Sequence, residues 1–105
     1  MAALLKIKSK VEEGSVIVTP EGRIDANTAS LLDKEISSVI DNTDSIVIDF
    51  DKVAYISSAG LRVLLGTSKA MLKKDGGLKV INVSDSIMDV LAVTGFVNKL
   101  NIEKK

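Results

Sequence analysis

Apolar and polar residues alternate in two short segments near the start of the 105-residue chain. The segments 6–11 and 15–20 are separated by Glu12-Glu13-Gly14, so the pattern predicts a β-hairpin. Pro20 is expected to end the second strand, because proline cannot donate a hydrogen bond to a neighbouring strand.

Further along, apolar residues recur at helical spacing in three segments separated by short apolar strands. The pattern predicts helices over residues 29–41, 59–74 and 85–93 and strands over residues 45–50, 78–82 and 96–102. Asp25 or Asn27 could cap the first helix, and Ser84 could cap the third. The predicted order is β-β-α-β-α-β-α-β: an α/β fold with a mixed sheet of four to five strands and helices mainly on one face. The residues expected to be buried are Ile46, Val47, Ile48, Leu64, Leu65 and Val80.

The composition limits which partners and reactions are expected for this chain. Basic and acidic residues balance at 14 each, so neither nucleic acid nor an anionic membrane is expected as a partner. Cysteine and histidine are absent, which removes the usual nucleophile–base pairs and nearly all zinc chemistry. The first residues form too short an apolar run for a signal peptide. We expect one domain over residues 1–105, cytoplasmic and monomeric on its own, without metal or cofactor.

The most informative segment covers residues 51–65, where an acidic turn leads into Ser57-Ser58, small residues and an amphipathic helix. Either serine could cap the helix, which is the most common role of such a pair. A phosphate on a hydroxyl at this position would also be tolerated, since helix N-termini favour negative charge. The small residues Ala59 and Gly60 would allow another protein to approach closely, and Gly60 is a poor helix former.

The sequence gives less support to a metal site, a hydrolase site or a nucleotide site. Asp25, Asp49 and Asp51 could gather around a metal ion, but they are more simply read as turn formers and solvated charges. A serine hydrolase lacks its histidine, and no lysine in the local pattern lies near Ser58. No glycine-rich loop indicates nucleotide binding.

Four segments, residues 21–28, 46–50, 53–65 and 93–96, resemble the STAS domains of small bacterial anti-sigma factor antagonists. The resemblance implies that Ser58 is phosphorylated by a partner that is both a serine kinase and an anti-sigma factor. Phosphorylation would prevent binding to that partner, and a serine phosphatase would restore it. Many members carry Asp before this serine and Ser or Thr after it, whereas Ser57 and Ala59 stand here, so Ser57 is the alternative acceptor.

The resemblance also implies a partner surface around the helix N-terminus and a nearby loop, without a catalytic residue. Its expected members are Asp25, Asn27, Thr28, Ser57, Ser58, Ala59 and Arg62. One alternative is a STAS module that does not switch, either a scaffold subunit or the partner of a transporter. A receiver-like phospho-aspartate domain, with a fully parallel sheet, is a more distant alternative.

Overall fold

A computed structural model of the chain describes residues 5–98 and 100–105. Residues 1–4, and Lys99 within the last predicted strand, lie outside the described residues. Over the described ranges, six strands form one mixed sheet and three α-helices connect them. The strands are β1 (Lys6–Glu12), β2 (Ser15–Ile24), β3 (Ser45–Asp49), β4 (Val53–Ile56), β5 (Gly77–Val83) and β6 (Asn101–Lys104). The helices are α1 (Ala29–Val39), α2 (Ser58–Lys73) and α3 (Asp85–Val93).

The sheet has the order β1-β2-β3-β5-β6, and β4 pairs with β2 beside this path. Only the hairpin strands β1 and β2 pair in antiparallel fashion among the described strands; the other pairs are parallel. The predicted mixed α/β sheet is therefore confirmed. The antiparallel hairpin is incompatible with the fully parallel sheet of a receiver-like domain.

Burial alternates along β3 and most of β2, as expected when helices cover one face of the sheet. Ile46 and Ile48 on β3 are fully buried, whereas Val47 between them is only half-buried. Strand residues alternate between faces, so Val47 lies on the side that we call the open face. Leu64 and Val80 are fully buried as expected, but Leu65 is half-buried. The prediction that Val47 and Leu65 are buried was thus wrong.

Strand β4 was not predicted. The segment Val53–Ile56 has only four residues, and they show no alternation of apolar and polar side chains that would predict a strand. It forms because β2 extends beyond the end of its pairing with β3 and offers unpaired backbone groups. β3 pairs with Val16–Val18 and β4 with Gly22–Ile24 of the same strand. Six strands therefore replace the predicted four to five.

Pro20 does not end β2, which continues to Ile24. The proline falls between the segments of β2 that pair with β3 and with β4. Neither β3 nor β4 pairs with Pro20, so no ladder bond to these two strands requires an N–H at this position. The register shifts between Gly22 and Arg23, and Gly22 has a φ of +121°, which glycine adopts readily.

The ends of the helices differ slightly from the prediction. α1 stops at Val39 and is followed by a 3₁₀ turn, Ile40–Asn42. The last predicted strand is divided into a 3₁₀ turn, Phe96–Asn98, and β6. In the described part of the chain, no helix has the length and apolar character needed to cross a bilayer.

Candidate functional site

The C-terminal ends of β2 and β4 lie side by side and bring the two candidate loops together. Arg23 pairs with Tyr55 and Ile24 with Ile56, and the backbone N–H of Ser57 donates to the carbonyl oxygen of Ile24 over 2.8 Å. The chain continues from Ile24 into the loop 25–28 and from Ser57 into α2. The two loops expected at one end of the sheet are therefore direct neighbours.

The two serines at the start of α2 have different positions. Ser57 is the N-cap: its Oγ accepts a hydrogen bond from the backbone N–H of Gly60 at 3.3 Å, and its side chain is half-buried. Ser58 is the first residue of the helix and is exposed. The cap that either serine could supply is therefore supplied by Ser57, which leaves the Ser58 side chain at the surface.

The structure explains the glycine at position 60 differently from the sequence analysis. It is buried, and a Cβ atom at this position would lie 2.7 Å from Cγ2 of Ile24 and 2.8 Å from Cγ1 of Ile56. The first turn of α2 thus packs directly against the ends of β2 and β4. The close approach that requires glycine is to the protein's own core, so Gly60 is no sign of an approaching partner. Ala59 is half-buried and packs against the same core.

The loop 25–28 is organised by the carboxylate of Asp25. Its Oδ1 accepts hydrogen bonds from the backbone N–H groups of Asn27 and Thr28, both at 2.9 Å. These bonds stabilise the ionised form and hold the pKa of Asp25 below its ordinary value of 3.8; a further contribution comes from the positive charge of Arg23. Asp25 therefore caps the turn that precedes α1. Asn27 is exposed in this turn.

The side chain of Thr28 stabilises this loop through hydrogen bonds to the backbone of Arg23 and Asp25. It is 5% exposed, its Oγ1 donates to the carbonyl oxygen of Arg23, and the same atom accepts from the backbone N–H of Asp25, both at 2.8 Å. Thr28 is the N-cap residue of α1, but its side chain does not make the capping bond. Because its side chain is buried, Thr28 can shape a partner surface but offers little of it.

Three of the predicted residues, Asn27, Ser58 and Arg62, are exposed around this junction, whereas Asp25, Ser57 and Ala59 are half-buried. Arg62 lies one helical turn after Ser58 on α2, and both are exposed. Asn27 is exposed on the neighbouring loop, and Asp25 is partly exposed. We call Asp25, Asn27, Ser58 and Arg62 the Ser58 surface.

Sequence reasoning missed two exposed residues beside the Ser58 surface. The guanidinium carbon of Arg23 lies 4.3 Å from the centroid of the Tyr55 ring, and both side chains are exposed. They are opposite each other in the pairing of β2 with β4. An exposed tyrosine three residues before Ser58 was the available signal, but its pairing with Arg23 depends on a strand that was not predicted.

The three aspartates considered as metal ligands have other partners. Asp49 accepts hydrogen bonds from the backbone N–H of Asp51 and from the side-chain amide of Asn82, both at 2.9 Å. Asp51 forms an ion pair with Lys105 at 2.8 Å, which lowers the pKa of the carboxyl group. Among residues 5–98 and 100–105, no group of three or more acidic side chains could hold a metal ion.

Comparisons with known proteins agree with this architecture. The sequence model of the STAS domain matches residues 6–105, and the chain belongs to this family. The anti-sigma-B factor antagonist of Bacillus subtilis is 28% identical over 101 residues, which cover 96% of this chain and 93% of that protein.

Solved structures show the same fold. An anti-sigma factor antagonist from Mycobacterium paratuberculosis superposes with a TM-score of 0.86 at 25% identity, covering 96% of this chain and 86% of that one. The Bacillus cell fate determinant SpoIIAA in its phosphorylated form superposes with a TM-score of 0.72 at 18% identity, covering 92% and 90% of the two chains.

Proposed function

We propose that this protein is an anti-sigma factor antagonist that is switched by phosphorylation of Ser58. In its unphosphorylated form it binds an anti-sigma factor that is also a serine kinase, and so frees a sigma factor for transcription. Phosphorylation ends this binding, and a serine phosphatase restores it. The observation that carries the proposal is the position of Ser58, which is exposed as the first residue of α2 beside the loop 25–28.

The division of roles between the serines favours Ser58 over Ser57 as the acceptor. A kinase must bring the γ-phosphate of its nucleotide to the attacking hydroxyl, and Ser58 is accessible without any unfolding. Phosphorylation of Ser57 would instead attach the phosphate to the oxygen that caps Gly60, in a half-buried position. Ser57 therefore supports the start of the helix, and Ser58 carries the modification.

The energetics of the switch favour a change in binding over a change in fold. Phosphorylation adds a charge of about −1.5 to −2 at neutral pH, and a helix N-terminus accommodates negative charge. A partner packed closely on the Ser58 surface would instead have to desolvate the phosphate, which is unfavourable by several kcal/mol when the charge is unpaired. The protein keeps its structure while the complex dissociates.

The protein acts by binding, and the kinase and phosphatase supply the catalysis. Its relative in Bacillus subtilis is named an antagonist of an anti-sigma factor, which is a regulatory role. We place this action in the cytoplasm, where sigma factors meet RNA polymerase, and assign no direct contact with nucleic acid or membrane.

Phosphorylation in vitro tests the proposal. The protein is incubated with ATP and a purified anti-sigma factor serine kinase from the same organism, and the modified site is mapped by mass spectrometry. We expect one phosphate on the wild type and on Ser57→Ala, and none on Ser58→Ala. Phosphate on Ser58→Ala would assign the acceptor to another residue. A wild type that neither binds this kinase nor is phosphorylated by it would favour a STAS module that does not switch.

A further inference from the structure

We propose that Arg23, stacked on Tyr55, is an anchor that receives a carboxylate from an acidic segment of the anti-sigma partner. The inference rests on the proposed function and extends its binding surface to residues on the open face of the sheet. It concerns which chemical group the partner presents there.

The stacked arrangement orients the Arg23 side chain. Its guanidinium carbon lies 4.3 Å from the centroid of the Tyr55 ring, within the range of a cation–π contact. The ring restricts the otherwise flexible side chain, so less conformational freedom remains to be lost when a ligand binds. The N–H groups at the edge of the guanidinium can then donate a pair of hydrogen bonds to a carboxylate.

The positive charge of Arg23 lacks a direct counterion in the described part of the chain. The ion pairs there join Lys10 to Glu12, Lys79 to Glu103, Lys104 to Asp85 and Lys105 to Asp51. The charge of Asp25, two residues away, interacts with that of Arg23, but the two form no ion pair, and Oδ1 of Asp25 holds the amides of the loop 25–28. A partner carboxylate would therefore meet a cation that is still available for pairing.

The surroundings of Arg23 favour an acidic segment over a basic one. Glu21 precedes Arg23 by two residues on β2. A concavity of about 340 Å³ has Glu21 in its lining, although Arg23 itself does not line it. Its charged lining residues are Lys8, Lys10, Lys52 and Glu21. Lys10 is paired with Glu12, so Lys8 and Lys52 remain against Glu21, and this small excess of positive charge complements a negatively charged chain.

Arg23 is also continuous with the Ser58 surface. The Arg23 carbonyl oxygen accepts the hydrogen bond from Thr28 that shapes the loop, and Tyr55 precedes Ser58 by three residues. A partner that covers Ser58 and Asn27 therefore lies close to the strand ends that carry Arg23 and Tyr55. Arg and Tyr are also the residue types that contribute most strongly when they are buried at interfaces.

The test measures the affinity of a purified anti-sigma factor serine kinase from the same organism for a set of variants. We expect Arg23→Glu to weaken binding at least about tenfold, and Arg23→Gln by a smaller factor. Tyr55→Ser should weaken binding through the loss of the stacking ring, whereas Tyr55→Phe keeps the ring and should bind like the wild type. Lys69→Glu is the matched control: this exposed lysine lies on α2 eleven residues after Ser58, about 16 Å away, and should change affinity less than about twofold.

A charge exchange identifies the partner group. Acidic residues of the kinase are replaced one at a time by lysine, and one of these variants should restore binding to Arg23→Glu. If Arg23→Glu binds as tightly as the wild type, or weakens no more than Lys69→Glu, the anchor is wrong even though the proposed function stands. If the wild type neither binds the kinase nor is phosphorylated by it, the proposed function itself fails.

Discussion

The backbone N–H of Ser57 donates a hydrogen bond of 2.8 Å to the carbonyl oxygen of Ile24. This bond connects the last residue of β2 to the N-cap of α2, and so links the loop 25–28 to the residue before Ser58. The two halves of the proposed partner surface are therefore fixed relative to each other by backbone structure, before any side chain contributes. A partner meets a preformed surface and does not have to order it.

Gly60→Ala should destabilise the protein, although alanine is the better helix former. A Cβ atom would lie 2.7 and 2.8 Å from atoms of Ile24 and Ile56, and such overpacking costs about 1–3 kcal/mol. The gain in helix propensity, up to about 1 kcal/mol, offsets only part of this cost. Urea unfolding measures the difference.

Gly66→Ala is the control in the same helix. It is exposed, and nothing lies within 4 Å of a Cβ atom built there, so the substitution should stabilise the protein by up to about 1 kcal/mol. Equal effects of the two substitutions would show that α2 does not pack closely on Ile24 and Ile56.

Ser57→Ala and Ser58→Ala should differ in stability. Removal of the Ser57 hydroxyl abolishes the cap on Gly60 and should cost about 1 kcal/mol. Ser58 is exposed, so its substitution should change the free energy of unfolding by less than about 0.5 kcal/mol. Thermal or urea unfolding of the two variants in parallel provides the comparison. A larger loss for Ser58→Ala would mean that Ser58 is the structural cap.

Ser58→Asp should weaken binding to the anti-sigma partner while the fold persists. A carboxylate in the first turn of a helix is favourable by roughly 0.3–1 kcal/mol, so the melting temperature should not fall. The complex must desolvate the new charge, and we expect partial loss because aspartate carries less charge than a phosphate. Melting curves and a titration with the purified kinase check both parts. If Ser58→Asp bound as tightly as Ser58→Ala, Ser58 would not be the residue that controls binding.

Acidification should open the loop 25–28. The pKa of Asp25 is lower in the folded protein than its ordinary value of 3.8, so its contribution to stability is fully present above that value. The contribution is lost as the pH falls through the lower, folded pKa, when the protonated carboxyl group holds the amides of Asn27 and Thr28 less strongly. NMR measurement of these two amide shifts against pH should show a transition below pH 3.8.

Two substitutions of Asp25 distinguish the effect of its hydrogen-bond acceptor from the effect of its charge. Asp25→Asn keeps an oxygen that can accept from both amides, so the loop should persist without the pH transition. Asp25→Ala removes the acceptor and should increase hydrogen exchange at Asn27 and Thr28. Unchanged exchange in Asp25→Ala would mean that other contacts hold the loop.

Much of the architecture is encoded in local patterns. The starts of α1 and α3 follow from apolar spacing and, for α3, from the Ser84 cap, whose Oγ accepts from the backbone N–H of Ile87. The cap, the helix start and the small residues around Ser57-Ser58 are likewise short-range features. Side-chain periodicity and capping act within a few residues, so the sequence alone could place Ser58 at the beginning of a helix.

Tertiary structure decided the features that depend on distant partners. Val53–Ile56 is a strand only because the far end of β2 has unpaired backbone groups to offer, and no pattern in those four residues encodes this. The same pairing brings Arg23 over Tyr55 and places Gly60 against Ile24 and Ile56. Val47 and Leu65 are apolar yet half-buried, because hydrophobicity specifies a preference for burial and only the packing determines which face is covered.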